Sequence, residues 1–305
     1  MYDLIIIGGG PAGIAAGIYG ARKKLKTLLL SKDFFGQVGK SFLVENYPGF
    51  KKISGQDLMR KFRDHLKRFE IEIKEKGVRE VQKSKDGFIV DIENKESFTA
   101  KAVIIASGRD PRPLEIPGEK TFIGKGISYC PTCDLPFFEK KDIAIIGGGN
   151  SGFETAIEAV KYCPKIYILE AGEKLLADEI LQERVRKAKK IEIILNAKVK
   201  KILGQNWLEG LIYQDLKEKK DKELKIKGVF IQIGYVPTTS FVKDLVDFNE
   251  RDEIIIEPKT CQTKTPGLFA AGDVTNVKYK QIVIAAGEGT KAALSAYEYV
   301  QKLAD

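Results

Sequence analysis

The chain carries the same supersecondary unit twice. Asp3–Ser31 reads DLIIIGGGPAGIAAGIYGARKKLKTLLLS, and Asp142–Glu170 reads DIAIIGGGNSGFETAIEAVKYCPKIYILE. Each opens with a short apolar run, Leu4–Ile7 or Ile143–Ile146, of the kind a strand buried on both faces requires. G-x-G-x-x-G follows, as Gly8, Gly10 and Gly13 and again as Gly147, Gly149 and Gly152. A stretch of helical period and a second apolar run, Thr27–Leu30 or Ile166–Leu169, close each unit. In that context the first glycine makes a tight turn and the second admits a pyrophosphate to the backbone. The third lets the helix pack on the strand, and the helix N-terminus offers free N–H groups to the phosphates. One such motif is weak evidence. Two in matched frames predict two dinucleotide sites in an α/β chain.

The remaining apolar runs suggest how the two units are nested. Val103–Gly108 reads as a strand entering a crossover, with Pro111, Pro113 and Pro117 in the linker after it. Val229–Gly234, followed by Pro237, reads as the return. Leu268–Asp273 is a further strand, and a helix from about Gln281 to Leu303 ends the pattern. The expected fold is therefore two Rossmann-like dinucleotide-binding domains, the second inserted into the first. The first would comprise 1–110 and 240–305, and the second 111–239. A length of 305 residues accommodates two domains.

Charge and hydropathy remove several function classes. Lys and Arg number 51 against 42 Asp and Glu, a net charge of +9. The basic excess is not a stripe: Lys217–Glu223 mixes both signs, the pattern of a solvated face, and no stripe of Arg interleaved with aromatics appears. No nucleic-acid partner is expected. No apolar run approaches the ~20 residues of a bilayer span, and no signal-peptide pattern precedes the first strand, so no membrane association and a cytoplasmic location are expected.

Of the four cysteines, Cys130 and Cys133 form a Cys-x-x-Cys, while Cys163 and Cys261 stand alone. On a turn or helix start such a pair can close a small disulfide, and the helix N-terminus lowers one thiol's pKa. The same spacing also serves as half a zinc site. Completing it would fall to Cys163, Cys261 and the single histidine, His65, none of which are paired at ligand spacing. His65, in a Lys/Arg-rich amphipathic stretch from Leu58 to Phe69, reads as a surface or half-buried residue, and the two isolated cysteines as inert small hydrophobes.

Taken together, GGGPAG with the later FAAGD, and CPTCD followed by IIGGGNSG, resemble the low-molecular-weight thioredoxin reductase family of flavoprotein disulfide reductases. Within it, Tyr129–Asp134, Gly272–Val274 and Tyr279–Ile282 are similar to the reductase portion of alkyl hydroperoxide reductase flavoproteins. The resemblance covers essentially the whole chain. It implies that Gly8, Gly10, Pro11, Ala12 and Gly13 hold the FAD pyrophosphate, and that Gly36, Gln37 and Asn46 contact the flavin and its chain. Asp273 would bond the ribityl chain, with Lys280, Gln281 and Ile282 beside the isoalloxazine ring. Val78, Ala106, Gly108 and Gly272 complete the expected FAD contacts. Gly147, Gly149, Asn150, Ser151, Gly152, Glu170 and Gly234 are those expected for NAD(P)H. Where many relatives have an acid for the FAD ribose, this chain has Ser31, with Asp33 two residues on.

The resemblance implies a catalytic set of Cys130, Cys133 and Asp134, the aspartate donating a proton during disulfide exchange. A turn or N-cap aspartate is the alternative reading. It further implies a homodimer, rotation of the nucleotide domain about hinges near 109–118 and 234–240, and a thioredoxin- or glutaredoxin-like protein as electron acceptor. That acceptor would be a separate molecule, because the chain starts at its FAD strand. An NADH oxidase or a peroxidase-system flavoprotein reductase is the competing function. Glu170 bears on the nucleotide. It falls close to the ~20 residues after the glycine motif where the ribose reader stands. NADPH-using relatives are basic there. This chain has Glu170-Ala171-Gly172, with Leu176 at the later Arg position. NADH is therefore expected ahead of NADPH, unless Glu170 points to solvent and Lys165 or Lys174 offsets it.

Overall fold

The computed structural model describes residues 1–41 and 44–303; the ends of the expected first-domain range at 304 and 305, and positions 42 and 43 within it, lie outside the described residues. The chain divides into two compact units. One comprises Met1–Lys40, Asn46–Asp110 and Val236–Asp305, the other Ser41–Glu45 and Pro111–Tyr235.

The first unit is built on a seven-stranded sheet. Its order is Glu72–Lys74, Thr27–Leu30, Tyr2–Ile7, Ser97–Ile105, Gly87–Ile92, Val78–Ser84, with Leu268–Ala270 also paired to Ser97–Ile105. The strands flanking the glycine turn are parallel, with Leu4 opposite Thr27 and Ile7 opposite Leu30. Their apolar runs are buried, as alternation-free aliphatic segments of a covered parallel sheet should be. Ser97–Ile105 changes partner along its length. Its first residues pair antiparallel with Gly87–Ile92, and Val103–Ile105 pair in parallel with Leu268–Ala270. The long C-terminal helix, Ile282–Lys302, packs against Pro11–Arg22. A Cβ at Gly289 would lie 1.9 Å from the Ala12 carbonyl oxygen, so the two backbones nearly touch.

The second unit repeats the plan with a five-stranded parallel sheet. Its order is Ile191–Ile194, Ile166–Leu169, Ile143–Ile146, Gly228–Ile231, Ile127–Ser128. One face packs on Phe153, Ala156 and Val185, the other on a three-stranded antiparallel sheet of Ala197–Gly204, Leu208–Asp215 and Lys220–Lys225. The mixed-charge run falls on the edge strand of that sheet. There Lys222 pairs with Asp215 and Glu218, a solvated face as its sequence suggests.

The return passage joins the first unit at Val236, a little before the expected 240. The reason is local: Thr238 donates its amide to the Gly108 carbonyl at 3.2 Å, and the Ser107 hydroxyl donates to the Thr238 carbonyl at 2.7 Å. Among the described residues no helix is long and apolar enough to cross a membrane.

Candidate active site

Both glycine turns are shaped by backbone contact at two positions and by open space at the third. Gly8 and Gly147 have φ of +117° and +120°. A Cβ there would lie 2.2 Å from the Ala106 carbonyl oxygen or 2.4 Å from that of Gln232. A Cβ on Gly13 or Gly152 would meet the carbonyl oxygen of Gly8 at 1.8 Å or of Gly147 at 2.0 Å. Gly10 and Gly149, by contrast, have nothing within 4 Å of such a Cβ. Each is the N-cap of its helix, Pro11–Arg22 or Asn150–Ala159, and neither helix carries an acid in its first turn. Unpaired N–H groups, positive helix ends and an open approach make both turns fit a dinucleotide pyrophosphate.

Around the first turn, Gly9 faces the loop of residues 31–36. The buried Ser31 donates its hydroxyl to the Asp33 carbonyl, and Asp33 accepts the amides of Phe35 (2.8 Å) and Gly36 (2.6 Å). Gln37 donates to Asp110 at 2.8 Å, and the Asn46 side chain donates to that of Gln281 at 3.3 Å, which joins two expected FAD contacts far apart in sequence. Gly36 and Gly108 adopt positive φ. Val78 opens an antiparallel strand opposite Ile92, one residue after Gly77, which lies against the Lys32 side chain of that loop.

Near Asp273 lies a buried polar cluster only partly foreseen from the sequence. Gly272 donates its amide to the buried Glu288 at 2.9 Å. Lys280 ion-pairs with Glu253 at 3.0 Å, both nearly buried, and also donates to the Asp273 and Thr275 carbonyls. The Lys280 ammonium is thus occupied in bracing the Asp273 turn. Asp273 lies 3.8 Å from the Arg109 guanidinium, and burial pushes its carboxyl above the usual range, opposed by Arg109 and Lys280. Gln281 caps the C-terminal helix, whose first residue is Ile282. Glu253, Glu288 and Arg109 were missed by sequence reasoning. An acid within an apolar helical stretch (Glu288 in IVIAAGEG) was the available signal.

Around the second turn, Glu170 is turned inward. Its two carboxylate oxygens accept the amides of Gly148 (2.6 Å) and Gly172 (2.7 Å), which fixes the side chain at the rim of the turn. Lys165 is engaged with Glu192. Asn150 and Asp178 clasp each other through side chain and backbone, at 2.9 and 2.7 Å. Leu176 and Ala177 donate their amides to the Gly148 carbonyl, leaving the Leu176 side chain 79 % exposed beside the turn. Ser151, in the first turn of the helix, faces solvent, and Gly234 has φ +99° with its carbonyl accepting the Arg112 amide.

The third locus is the cysteine pair. Cys130 and Cys133 form a disulfide, their Cα atoms 5.3 Å apart. Cys130 caps a one-turn helix, Pro131–Asp134, with proline at its first position, and its carbonyl accepts the amides of Cys133 and Asp134. Asp134 accepts the Ser128 hydroxyl at Oδ2, 2.6 Å away, while Oδ1 is buried with no hydrogen-bond partner. Burial pushes the Asp134 carboxyl up to about 6, with Ser128 opposing. Tyr129 donates its phenol to Glu119 at 2.7 Å; the same buried carboxylate takes the amides of Leu114 and Glu115.

The other two thiols are free cysteines. Cys163 and Cys261 are fully buried, and burial pushes each thiol up to about 11. His65 is exposed and lies against Phe69. Among the described residues no group of three metal-ligating side chains exists to complete a zinc site.

Comparison with known proteins adds ancestry to this geometry. A sequence model described as pyridine nucleotide-disulphide oxidoreductase matches residues 2–289. The chain is 41 % identical over 301 residues to an alkyl hydroperoxide reductase component of Staphylococcus aureus, covering 98 % of this chain and 59 % of that protein. It thus spans little more than half the length of such relatives. Among solved structures, thioredoxin reductase from Streptococcus pyogenes superposes with a TM-score of 0.95 at 35 % identity, covering 99 % of both chains. Thioredoxin reductase from Giardia duodenalis gives 0.92 at 32 % identity, covering 98 % of this chain and 99 % of that one.

Proposed function

Since the chain belongs to the pyridine nucleotide-disulphide oxidoreductase family, in its low-molecular-weight thioredoxin reductase branch, we propose that it is an NADH-dependent flavoprotein disulfide reductase. Its substrate would be the disulfide of a thioredoxin- or glutaredoxin-like protein, and its active form a homodimer. The observation that carries this reading is the closed Cys130–Cys133 disulfide at the head of a helical turn, backed by the half-buried Asp134.

FAD and a pyridine nucleotide, when bound, supply the hydride and electron chemistry that no side chain of this chain can perform. The first glycine turn, with Gly10, Pro11 and Ala12 at the open helix start, would hold the FAD pyrophosphate. Asp273, braced by Lys280 and Glu288, would orient its ribityl chain. Gly149, Asn150 and Ser151 would hold the nucleotide phosphates, with Glu170 accepting the ribose hydroxyls. Once the Cys130–Cys133 bond has been opened to a dithiol, one thiolate attacks a sulfur of the partner's disulfide and displaces the other. The second cysteine then attacks the mixed disulfide. This re-forms Cys130–Cys133 and releases the partner as a dithiol, so two electrons have moved. Asp134, with a carboxyl that titrates near neutrality, is suited to hold the proton that thiol and thiolate exchange.

The 41 % relative favours one alternative, delivery of electrons to a peroxidase system. Turnover of the flavin-loaded protein with NADH and NADPH against a panel of thioredoxin-like proteins and peroxidases from the same source tests both. Reduction of a thioredoxin- or glutaredoxin-like disulfide supports the proposal. Turnover with oxygen or a peroxidase alone would replace it.

A further inference from the structure

We propose that Ser128 is a positioning residue for Asp134: by holding Oδ2 it leaves Oδ1 as the oxygen that takes up and gives back the proton. This rests on the reading of Asp134 as the proton carrier of disulfide exchange.

Ser128 lies in a two-residue strand paired in parallel with Gly228–Ile231, its own partner being Phe230, and it is buried. Its hydroxyl accepts the Cys130 amide at 3.0 Å and has two acceptors in reach, Asp134 Oδ2 at 2.6 Å and the Cys130 carbonyl at 3.3 Å. A hydroxyl has one proton to donate. The shorter bond, which is charge-assisted whenever Asp134 is ionised, takes it. The Cys130 amide occupies a lone pair of the same oxygen, so the hydroxyl is held from both sides. One side chain therefore ties the backbone of the first cysteine to the carboxyl of the residue after the second.

The two oxygens of Asp134 are consequently unlike. Oδ2 already accepts a proton from Ser128 at 2.6 Å, and placing a second there would turn the hydroxyl proton away, toward the longer 3.3 Å contact with the Cys130 carbonyl. Oδ1 is buried without any donor. An unpartnered buried oxygen is a costly place for negative charge and a favourable one for a proton. No charged side chain among the described residues forms an ion pair with Asp134. Burial and the Ser128 hydroxyl are the two influences on it, and they act in opposite directions. The serine thus sets both where the proton sits and how readily it leaves.

Ser128→Ala and Ser128→Thr in the flavin-loaded enzyme test this, with the Asp134 titration read by carboxyl-carbon NMR, assigned by its loss in Asp134→Asn. Ser128→Ala removes the bond that favours the carboxylate, so the midpoint moves up by about one pH unit, a tenfold change in ionisation constant. The pH profile of disulfide turnover moves with it, and Ser128→Thr, which keeps the hydroxyl, restores both. In the wild type, the infrared carbonyl stretch of protonated Asp134 lies at the lowered frequency of a hydrogen-bonded C=O, and in Ser128→Ala at the higher frequency of a free one. An unmoved or lowered midpoint in Ser128→Ala, or a wild-type stretch at the free frequency, overturns the proposal. If instead Asp134→Asn turns over at the wild-type rate, it is the role of Asp134 itself that fails.

Discussion

Glu170 decides nucleotide choice under the proposed function because two backbone amides keep its carboxylate at the rim of the glycine turn. From there it can accept hydrogen bonds from both ribose hydroxyls of NADH. Toward a 2′-phosphate it is a like charge. At ~4 Å and an effective dielectric of ~20, each unit charge is repelled by about 4 kcal/mol, and a third of that is roughly tenfold in affinity. Steady-state kinetics should give a higher kcat/KM with NADH than with NADPH. The double substitution Glu170→Arg and Ala171→Arg should reverse the order. At the cysteines, Cys130→Ser or Cys133→Ser should abolish turnover of protein disulfides yet leave flavin reduction by NADH intact, as stopped-flow absorbance would show. Asp134 affects stability as well as chemistry. Its folded-state carboxyl titrates at about 6, above its ordinary value of 3.8, so the folded state holds the proton longer as pH rises. Stability is therefore lost on passing upward through that window, by roughly 1–3 kcal/mol. Asp134→Asn should remove this decline in thermal unfolding scans while slowing thiol turnover about tenfold to a hundredfold.

At the scale of elements, each glycine turn separates fold from function within six residues. Gly13→Ala and Gly152→Ala drive a Cβ into a backbone carbonyl and should lower stability by about 1–3 kcal/mol or more. Gly10→Ala and Gly149→Ala meet open space. These variants should melt within about 0.5–1 kcal/mol of the wild type, yet bind FAD or NADH more weakly, as calorimetry would measure. The turns were legible in the sequence because strand, glycines and helix recur in one order. The strands Thr27–Leu30, Ile143–Ile146 and Ile166–Leu169 fall where their apolar runs begin and end. The antiparallel hairpins were harder to see. Val78–Ser84 and Gly87–Ile92 meet at a two-residue Lys85-Asp86 turn, a signal masked by the charged residues of the half-exposed outer strand. The cluster of Glu253, Lys280 and Glu288 was hidden for another reason. Its members come together only through tertiary contact, and a buried acid carries no periodicity of its own.

For the molecule as a whole, the two dinucleotide folds imply two ligands. The purified protein should be yellow, with one FAD per chain released by denaturation without covalent linkage; a folded protein that gains no flavin absorbance on adding FAD would contradict the first site. Nesting has a further consequence, for biosynthesis. Ser97–Ile105 is central to the first sheet, yet the partner of its last residues, Leu268–Ala270, leaves the ribosome only after the entire inserted unit. Until then the nascent first unit presents an unpaired strand edge and an uncovered first helix, the kind of surface that recruits chaperones or pairs with the wrong chain. The inserted unit is nearly all contiguous and waits for nothing downstream of Tyr235. Folding order should therefore run against synthesis order. In arrested nascent chains, protease resistance should appear across 111–235 before it appears across 1–110, and flavin capture should come last.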